Sequence, residues 1–303
     1  MLQVISKYLE NNWLLAISTP VYTALIALEV LLSNYQKRNY YTLKETLINF
    51  WLNIANTALG LSIKFIVLII LNWFFSFHFL EISNTYWYWI LLFFGVDICF
   101  YFEHRSEHFS RILWAVHVTH HSSQEFNLTT GFRSSVFRPF VSFWFFIPLT
   151  FLGFKPLDIL LVDAICQIYG IIVHTRYIQK MPKWFEAIFV TPSHHRVHHA
   201  SNAIYLDKNM GMVMIIWDKI FGTFQEELPH EEVVYGITTP PEKPYHPIHI
   251  IFHEWKNLWK DISQKGITLK ERLHYLLDAP GWSHDNSTKT SKQLRKEISK
   301  KNH

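Results

Sequence analysis

Cysteine and charge are scarce in this chain of 303 residues, and each scarcity excludes a class of protein. The two cysteines, Cys99 and Cys166, lie in apolar runs, so the sequence predicts neither a disulfide framework nor a thiolate metal site. Only 17% of the residues are charged, and the net charge of +4 comes without a dense basic patch, which argues against a nucleic-acid partner. Because a soluble globular chain has about one quarter of its residues charged, the composition favours a membrane protein.

Several motifs of redox and hydrolytic enzymes are also missing. The chain has no His-Pro-Gly-Gly segment of the cytochrome b5 type and no glycine-rich loop for a flavin or a nicotinamide. It also has no His-Glu-x-x-His, the motif in which two histidines on one helix face bind zinc beside a general base. The sequence therefore contains no recognisable electron carrier of its own, and a zinc hydrolase is disfavoured.

The apolar runs predict an all-α, polytopic membrane protein, a helical bundle with about four to five membrane-embedded helices. About 20 apolar residues span the hydrocarbon core, and five stretches approach this length: 13–32, 59–77, 87–102, 136–154 and 157–173. The last two are joined only by Lys155-Pro156, which predicts a tight helical hairpin. A sixth run, 210–224, is too short to span and is interpreted as an interfacial or core segment.

Loop charges predict the orientation of these spans. Basic residues follow the first and fifth spans and flank the third and fourth, whereas the loop between the second and third spans carries Glu81 and no Lys or Arg. The positive-inside rule then places the N-terminus outside and the ends of spans three to five in the cytosol. The first run lacks a cleavage site and is expected to remain as an anchor. We expect a multi-pass protein of the endoplasmic reticulum in a eukaryote, or of the inner membrane in a bacterium.

Ten histidines lie between His104 and His199, and nine of them form three clusters. The clusters read His-x-x-x-His, His-x-x-His-His and His-His-Arg-Val-His-His, and they begin at His104, His117 and His194. Residues three and four apart share a helix face, so each cluster can aim two or three imidazoles at one point. These are too many ligands for one tetrahedral ion. The pattern therefore predicts a cytosolic, histidine-rich cap that holds two metal ions, and imidazole suits iron, zinc, copper or nickel.

Polar residues inside two spans extend the predicted site. Asp97 shares a helical stripe with His104 in span three, and Gln167 shares one with His174 in span five. A carboxylate or amide can accept the free N–H of a metal-bound imidazole, which is the role expected for Asp97 and Gln167. Hydrogen bonding between helices without a metal is the alternative. His174 ends its stripe at the level of the clusters and is expected to be a ligand.

The motifs resemble the fatty acid hydroxylase / sterol desaturase superfamily of integral-membrane di-iron oxygenases, and more closely its alkylglycerol monooxygenase-like branch. The resemblance covers roughly residues 85–283 and rests on five stretches: Trp-Ala-Val-His-Val-Thr-His-His-Ser-Ser at 114–123, Thr-Pro-Ser-His-His-Arg-Val-His-His at 191–199, Trp-Asp-Lys-Ile-Phe-Gly-Thr-Phe at 217–224, Val-Tyr-Gly-Ile at 234–237 and Pro-Gly-Trp at 280–282. Phe109 follows the first motif where the branch has a glutamate, and Met212 stands where it tends to have a glycine.

The resemblance implies two iron ions and O₂, with a reduced pterin as the reductant of the alkylglycerol-cleaving branch. The implied ligands, with His174 added from its stripe, are His104, His108, His117, His120, His121, His174, His195, His198 and His199. Further residues that could contact the metals or their ligands are His194, Asp97, Asn127, Asp207 and Gln167.

The expected function is hydroxylation of a C–H bond of a lipid, whether fatty acyl, sterol-like or alkyl-ether, with O₂ and a separate electron donor. A lipid desaturase on the same di-iron core, and a membrane metal-binding or transport protein, are the alternatives. The expected domains are N-terminal spans in 1–84, a catalytic core in 85–224, a cytosolic extension in 225–283 and a disordered tail in 284–303.

Overall fold

The computed structural model describes residues 13–83 and 85–301, and every regular element within them is a helix. The α-helices are α1 Trp13–Tyr35, α2 Leu43–Phe75, α3 Tyr86–Phe109, α4 Arg111–His121, α5 Ser142–Phe151, α6 Pro156–Ile172, α7 Lys183–Glu186, α8 Pro192–His198, α9 Ile216–Phe221, α10 Pro247–Ile262, α11 Leu269–Leu277 and α12 Ser291–Lys301. Two short 3₁₀ helices, Thr130–Phe132 and Arg138–Phe140, lie between α4 and α5. The predicted all-α class is confirmed for this part of the chain.

Two helices are long and apolar enough to cross a membrane, α1 over Ile17–Tyr35 and α2 over its full length. Only 28% of the apolar window in α2 is buried, so most of that surface faces outward. With 33 residues, α2 is about 50 Å long and exceeds a hydrocarbon core of roughly 30 Å. The predicted span 59–77 is thus the second half of a longer helix, whose start is capped by the Thr42 hydroxyl.

The other predicted spans bury one face in the bundle, while Leu91 of α3, Trp144 of α5 and Ile165 of α6 remain exposed. Helix α3 continues seven residues past the predicted end at 102, so the first histidine cluster belongs to the same helix. Helices α5 and α6 have 10 and 17 residues and form the expected hairpin, and both are shorter than the roughly 20 residues needed to cross a bilayer. Gly153, at φ +93°, lies in the turn between them. Glycine is required at this position, because a Cβ would lie 2.1 Å from the Leu80 carbonyl oxygen.

The largest apolar cluster joins one face of α3 to the α5–α6 hairpin and to the run 210–224. Its members include Leu92 and Val96 of α3, Ile159 of α6 and Met214. Met210 and Ile215 are fully buried, so the sixth apolar run is part of the core, as one of its two interpretations predicts. This packing places α3 beside the loop that approaches the histidines.

The predicted disorder of 284–303 is wrong for Ser291–Lys301, which forms α12. Thr290 and Gln293 cap the start of this helix through reciprocal hydrogen bonds. Arg295 in its second turn donates to the Leu206 carbonyl oxygen. The polar composition concealed this helix, whose apolar side chains Leu294 and Ile298 are half-buried. Residues 302–303 lie outside the described part of the chain.

Candidate metal centre

Helices α3, α4 and α8, together with the residue two positions after α6, bring nine histidines to one place. The imidazole nitrogens form two groups, and within each group they lie within 4.8 Å of one another. Group A is His104, His108, His117, His121 and His198. Group B is His120, His174, His195 and His199. These are the nine histidines for which the sequence predicts metal ligation.

Helix α4 contributes to both groups because of its register. His117 and His121, four residues apart, point into group A, while His120 points into group B. Helix α8 also contributes to both groups: its first ligand, His195, joins group B and His198 joins group A. Positions three and four apart share a helix face, and positions one apart differ by about 100°. The double histidines of the motifs therefore serve two adjacent sites.

Backbone carbonyls fix the orientation of four imidazoles. The Nδ1 atoms of His104, His120, His174 and His198 lie 2.7–2.9 Å from carbonyl oxygens. Those oxygens belong, in the same order, to Met210, Arg133, Gly170 and Lys208. A carbonyl oxygen only accepts, so each Nδ1 carries the proton and each Nε2 keeps its lone pair. The lone pairs of both groups are thereby directed inward.

Two carboxylates orient two further imidazoles, and both of these imidazoles belong to group A. Glu107 Oε2 lies 3.0 Å from His117 Nδ1, and Asp207 Oδ1 lies 3.3 Å from His108 Nδ1. A carboxylate partner raises the basicity of an imidazole ligand. Asp207 was among the predicted residues, whereas Glu107 was not. Its signal was its place inside the first His-x-x-x-His motif, on the buried part of α3.

Several Nε2 atoms approach one another more closely than unliganded imidazoles would. His117 Nε2 lies 3.0 Å from the Nε2 atoms of His104 and His121, and His174 Nε2 lies 2.9 Å from that of His195. His104, His117 and His174 carry their proton on Nδ1, so each of their Nε2 atoms presents a lone pair. In these close pairs, two Nε2 lone pairs face each other or compete for one proton. Ligands about 2.0–2.1 Å from a shared cation lie roughly 3 Å apart. The donor set therefore fits a cation at the centre of each group.

Burial keeps these imidazoles neutral. It lowers the pKa of His121, His195, His198 and His199 well below the usual range, and neighbouring imidazoles lower it further. The neutral imidazole is the form that binds metals. His108 Nε2 and His198 Nε2 are buried and have no hydrogen-bond partner within the described protein, which is what an atom reserved for a metal would show.

Four residues expected near the metals instead stabilise the fold. Asp97 accepts hydrogen bonds from Val213 N, Met214 N and Trp217 Nε1, not from an imidazole, so its predicted role is wrong. It anchors the run 210–224 on α3. His194 caps the start of α8 together with Thr191 and lies outside both groups.

Among the described residues, Asn127 and Gln167 likewise hydrogen-bond to groups other than the histidines. Asn127 accepts from Thr129 and donates to the Tyr40 carbonyl oxygen, which orders the loop after α4. Gln167 accepts from Arg138 and lines the cavity described below. Both are polar residues at the correct level of the bundle, and only their side-chain directions separate them from the ligands.

Arg133 is a structural residue of the site that the sequence did not reveal. Its side chain is fully buried and donates to Glu45 and Asn49 of α2, at 2.9 and 3.0 Å. Its carbonyl oxygen accepts from His120 Nδ1. Arg133 therefore connects the long apolar helix to group B, and its buried charge is compensated by the Glu45 carboxylate.

A cavity of about 70 Å³ lies between α3, α4, α6 and the segment 131–138. Its histidine wall consists of two members of group A and three of group B: His104, His117, His120, His174 and His195. Phe100, Val116, Ile171 and Met212 form an apolar part of its wall, and the polar lining residues besides the histidines are Glu107, Arg133, Ser134, Ser135, Arg138 and Gln167. A Cβ on Gly170 would lie 2.4 Å from the Met212 sulfur, so a side chain at this position would force Met212 to shift. The cavity brings an apolar space into contact with both groups.

A second opening reaches group A from the other side. This polar cleft of about 580 Å³ is lined by three group A histidines: His108, His121 and His198. Trp114 and Trp282 contribute flat apolar walls, and Asp207, Asn257 and Thr239 contribute polar groups. Its volume is within the range of small-molecule sites. Group A is thus accessible from a polar space that contacts no member of group B.

Within the described residues, a helical fold brings together two all-histidine groups that could each hold a metal ion, beside two helices long and apolar enough to cross a membrane. Residues 89–223 match the family model of fatty acid hydroxylase. This segment contains all nine histidines of groups A and B, and over this segment the chain is similar to that family.

Relatives carry names of lipid-modifying enzymes. Alkylglycerol monooxygenase of Homo sapiens is 40% identical over 198 residues, which are 65% of this chain and 43% of the relative. That of Danio rerio is 38% identical over 217 residues, 69% of this chain and 46% of the relative. An ornithine lipid hydroxylase of Rhizobium tropici is 31% identical over 143 residues, 46% and 42% of the two chains. The chain spans less than half the length of each. No solved structure matches it.

Proposed function

We propose that this protein is an O₂-dependent monooxygenase that hydroxylates a C–H bond of a lipid at a di-iron centre held by groups A and B. The observation that carries the proposal is the pair of neutral histidine groups facing one apolar cavity inside a fatty acid hydroxylase domain. Two irons would supply the reductive activation of O₂. The named activities of the relatives, on alkylglycerols and on an ornithine lipid, support a lipid as the substrate class.

Residues that line the cavity would position the lipid beside the histidines. Phe100, Val116, Ile171 and Met212 form an apolar wall that can hold an alkyl segment and exclude water beside the histidines. Arg138 and Gln167 are polar groups in the same cavity and can bind an oxygen function of the lipid. The substrate would be a fatty acyl, sterol-like or alkyl-ether lipid, with the target carbon at the histidine wall.

Electrons would reach the centre through the cleft at group A. The cleft is larger than the cavity, about 580 Å³ against about 70 Å³, and a greater share of its wall is polar, so a water-soluble donor fits the cleft better. A reduced pterin and a separate electron-transfer protein are the two donors to compare. Slow reduction of the metals by every soluble donor, whatever its size, would contradict this route.

The proposal extends to topology. A bundle of four to five membrane-embedded helices, with both histidine groups on the cytosolic side, agrees with the basic residues after α1 and α6. Single cysteines at Ser201 and Ser287, in a variant lacking Cys99 and Cys166, should react with an impermeant reagent only from the cytosolic side. Labelling from the opposite side would contradict the orientation.

Lipid mass spectrometry of whole cells tests the activity. Cells that produce the protein should accumulate lipids with one added oxygen atom, and cells producing His198→Ala should not. Loss of two hydrogens without added oxygen would instead identify a desaturase. An unchanged lipid profile, with the protein shown to be present and metal-loaded, would contradict both forms of lipid oxidation.

Metal analysis tests the centre independently of turnover. Protein purified from iron-replete cells should contain about two iron ions per chain, since nine imidazoles exceed the four ligands of one tetrahedral site. A content near zero or one in repeated preparations would contradict the dinuclear centre. A protein that exchanges metal across vesicles without oxidising lipid would support the transport alternative.

A further inference from the structure

Helix α10, Pro247–Ile262, has two apolar faces, and the lipid-oxidation proposal uses neither of them. One face is buried: Ile250, Ile251 and Leu258 are at most 3% exposed. The second face is a stripe that we call the outer stripe of α10, consisting of Ile248, Phe252, Trp255 and Trp259. Successive members are spaced by four, three and four residues, which places them within an arc of about 60°.

Three of the four members of the outer stripe are exposed in spite of its composition, and Trp255 is half-buried. Ile248 is 50% exposed, Phe252 44% and Trp259 70%. An apolar stripe of this size on a polar part of a chain requires a covering surface. The sequence assigned this region to a cytosolic extension, in which water would be the neighbour.

The position of α10 indicates what covers it. Its buried face packs on the first turns of α2, where Ile250 and Ile251 meet Ile48 and Leu52. Helix α2 is one of the two candidate spans, and its outward apolar surface begins at once, with Leu43 76% exposed. Leu43 and Leu52 are nine residues apart, about 14 Å along the helix. Helix α10 therefore lies beside the end of a span and continues its outward apolar surface.

The charges around the stripe fit a phospholipid surface. Lys256 and Lys260 are exposed and lie beside the stripe on the helix. Lys44, at the start of α2, places its Nζ 4.8 Å above the Tyr245 ring just before α10. Lysines can extend from an apolar helix to lipid phosphates, and tryptophans favour the boundary between headgroups and acyl chains. An anionic leaflet would add about 1 kcal/mol per lysine near the surface.

We propose that α10 lies in the plane of the bilayer surface, with its outer stripe in the headgroup–acyl boundary of an anionic leaflet. It is a monotopic membrane-binding element in the region the sequence assigned to a soluble extension. The partner is the lipid surface itself, so the proposal stands whether or not the bound lipid is also the substrate.

The contacts of the stripe connect this surface to the cavity. Phe252 and Trp255 pack edge-on against Phe137, with ring centroids 5.6 and 5.5 Å apart. Phe137 belongs to the segment in which Ser135 and Arg138 line the cavity. Immersion of α10 would therefore hold this cavity wall at the depth of the lipid headgroups.

Spin labels on the full-length, metal-loaded protein in nanodiscs test the placement. In a variant with Cys99 and Cys166 replaced by alanine, single cysteines at Ile248 and Trp259 would carry the labels. The matched control is Asn257→Cys, which is exposed, lines the polar cleft and lies on another face of α10. Labels at 248 and 259 should collide more with O₂ than with an aqueous nickel chelate, and the label at 257 should show the reverse. Equal aqueous accessibility at all three sites would overturn the proposal.

The lysines give a second, independent measurement. Nanodiscs of phosphatidylcholine with phosphatidylglycerol should immerse the label at 259 more deeply than phosphatidylcholine alone. Lys256→Glu with Lys260→Glu should remove that difference, because both charges beside the stripe are reversed. A dipolar signal between labels that disappears on dilution with unlabelled protein would identify a second copy as the partner and overturn the lipid assignment. Metal content reports folding in each variant, and neither measurement depends on lipid oxidation.

Discussion

Groups A and B contain the same ligand type and differ in their surroundings. The two carboxylates that contact the centre, Glu107 and Asp207, both contact group A. In group B, His120 and His174 donate to backbone carbonyl oxygens. Group A also borders the polar cleft, whereas group B supplies most of the histidines of the apolar cavity. This difference supports the proposal that a water-soluble donor reduces the metals from the side of group A and that the lipid approaches group B.

Removal of one ligand from each group should have the largest effect. We expect His198→Ala to lose the group A ion and His120→Ala the group B ion, because no neighbouring side chain can replace the missing Nε2. Lipid oxidation should fall below detection in both variants. Metal content and turnover are the measurements.

His230→Ala is the control, because His230 is exposed and lies outside both groups. Two ions per chain and normal turnover in His198→Ala would refute the assignment of group A. Loss of both ions in either variant would show that the two sites are coupled.

Acid should destabilise group A and group B alike, because both consist of buried, neutral imidazoles. The difference in surroundings between the groups should therefore not appear in the dependence on pH. Burial lowers the pKa of His121 and His198 in group A and of His195 and His199 in group B. Such groups stay neutral in the fold, while the unfolded chain takes up protons below about pH 6.5. The stability of the apoprotein should therefore be complete above that pH and decrease as the pH falls below it.

Thermal unfolding of the apoprotein and metal release from the loaded protein, both between pH 8 and pH 5, measure this loss. Bound metal should also leave in acid, because protons compete for the same nitrogens. Stability that rises as the pH falls would contradict the neutral assignment.

The carboxylate partners should distinguish the groups by a smaller amount. Glu107→Gln and Asp207→Asn should weaken metal binding at group A by about 10–100-fold and leave group B unchanged. The matched control is Asp97→Asn, because Asp97 bonds Val213, Met214 and Trp217 instead of an imidazole. Asp97→Asn should lower the melting temperature without changing the affinity of the folded protein for metal. Equal losses of metal affinity at groups A and B would contradict the inference that these carboxylates support group A alone.

A methyl group in the cavity should affect the lipid side alone. Gly170→Ala places a Cβ 2.4 Å from the Met212 sulfur, so Met212 must shift in the cavity. We expect turnover to fall about tenfold, a typical penalty for one misfitted carbon, with both metals retained. Addition of Met212→Ala should restore part of it. Gly60→Ala is the control, since its Cβ would meet only Pro139, at 3.6 Å; an equal fall there would exclude a cavity effect.

Narrowing of the cleft should have the smallest effect. Thr239→Trp adds a ring to an exposed cleft residue and should slow reduction of the metals by a soluble donor several-fold. Thr239→Ser should not, and lipid binding should be normal in both. Stopped-flow reduction of the loaded protein measures the rate. An unchanged reduction rate with a slower lipid step would exchange the roles of cleft and cavity.

The histidine pattern shows how far the sequence alone could go. The spacing of three and four residues, repeated in three clusters, selected eight of the nine histidines that come together, and the stripe of span five added His174. His194 has the same spacing and lies outside both groups. It also predicted a helical class, which the described residues confirm. Asp97 shows the limit: it lies on the correct stripe of α3, yet backbone amides more than 110 residues away occupy its oxygens.

By itself, then, the sequence determined the helical class, the ligand type and the register of each cluster, because helical spacing is a local property. Only the tertiary structure decided which histidine joins which group, since that depends on how α3, α4 and α8 meet. It also decided the proton positions, because the carbonyl partner of His104 lies 106 residues away along the chain. The contrast between cleft and cavity, and the exposed stripe of α10, likewise arise from packing between distant segments.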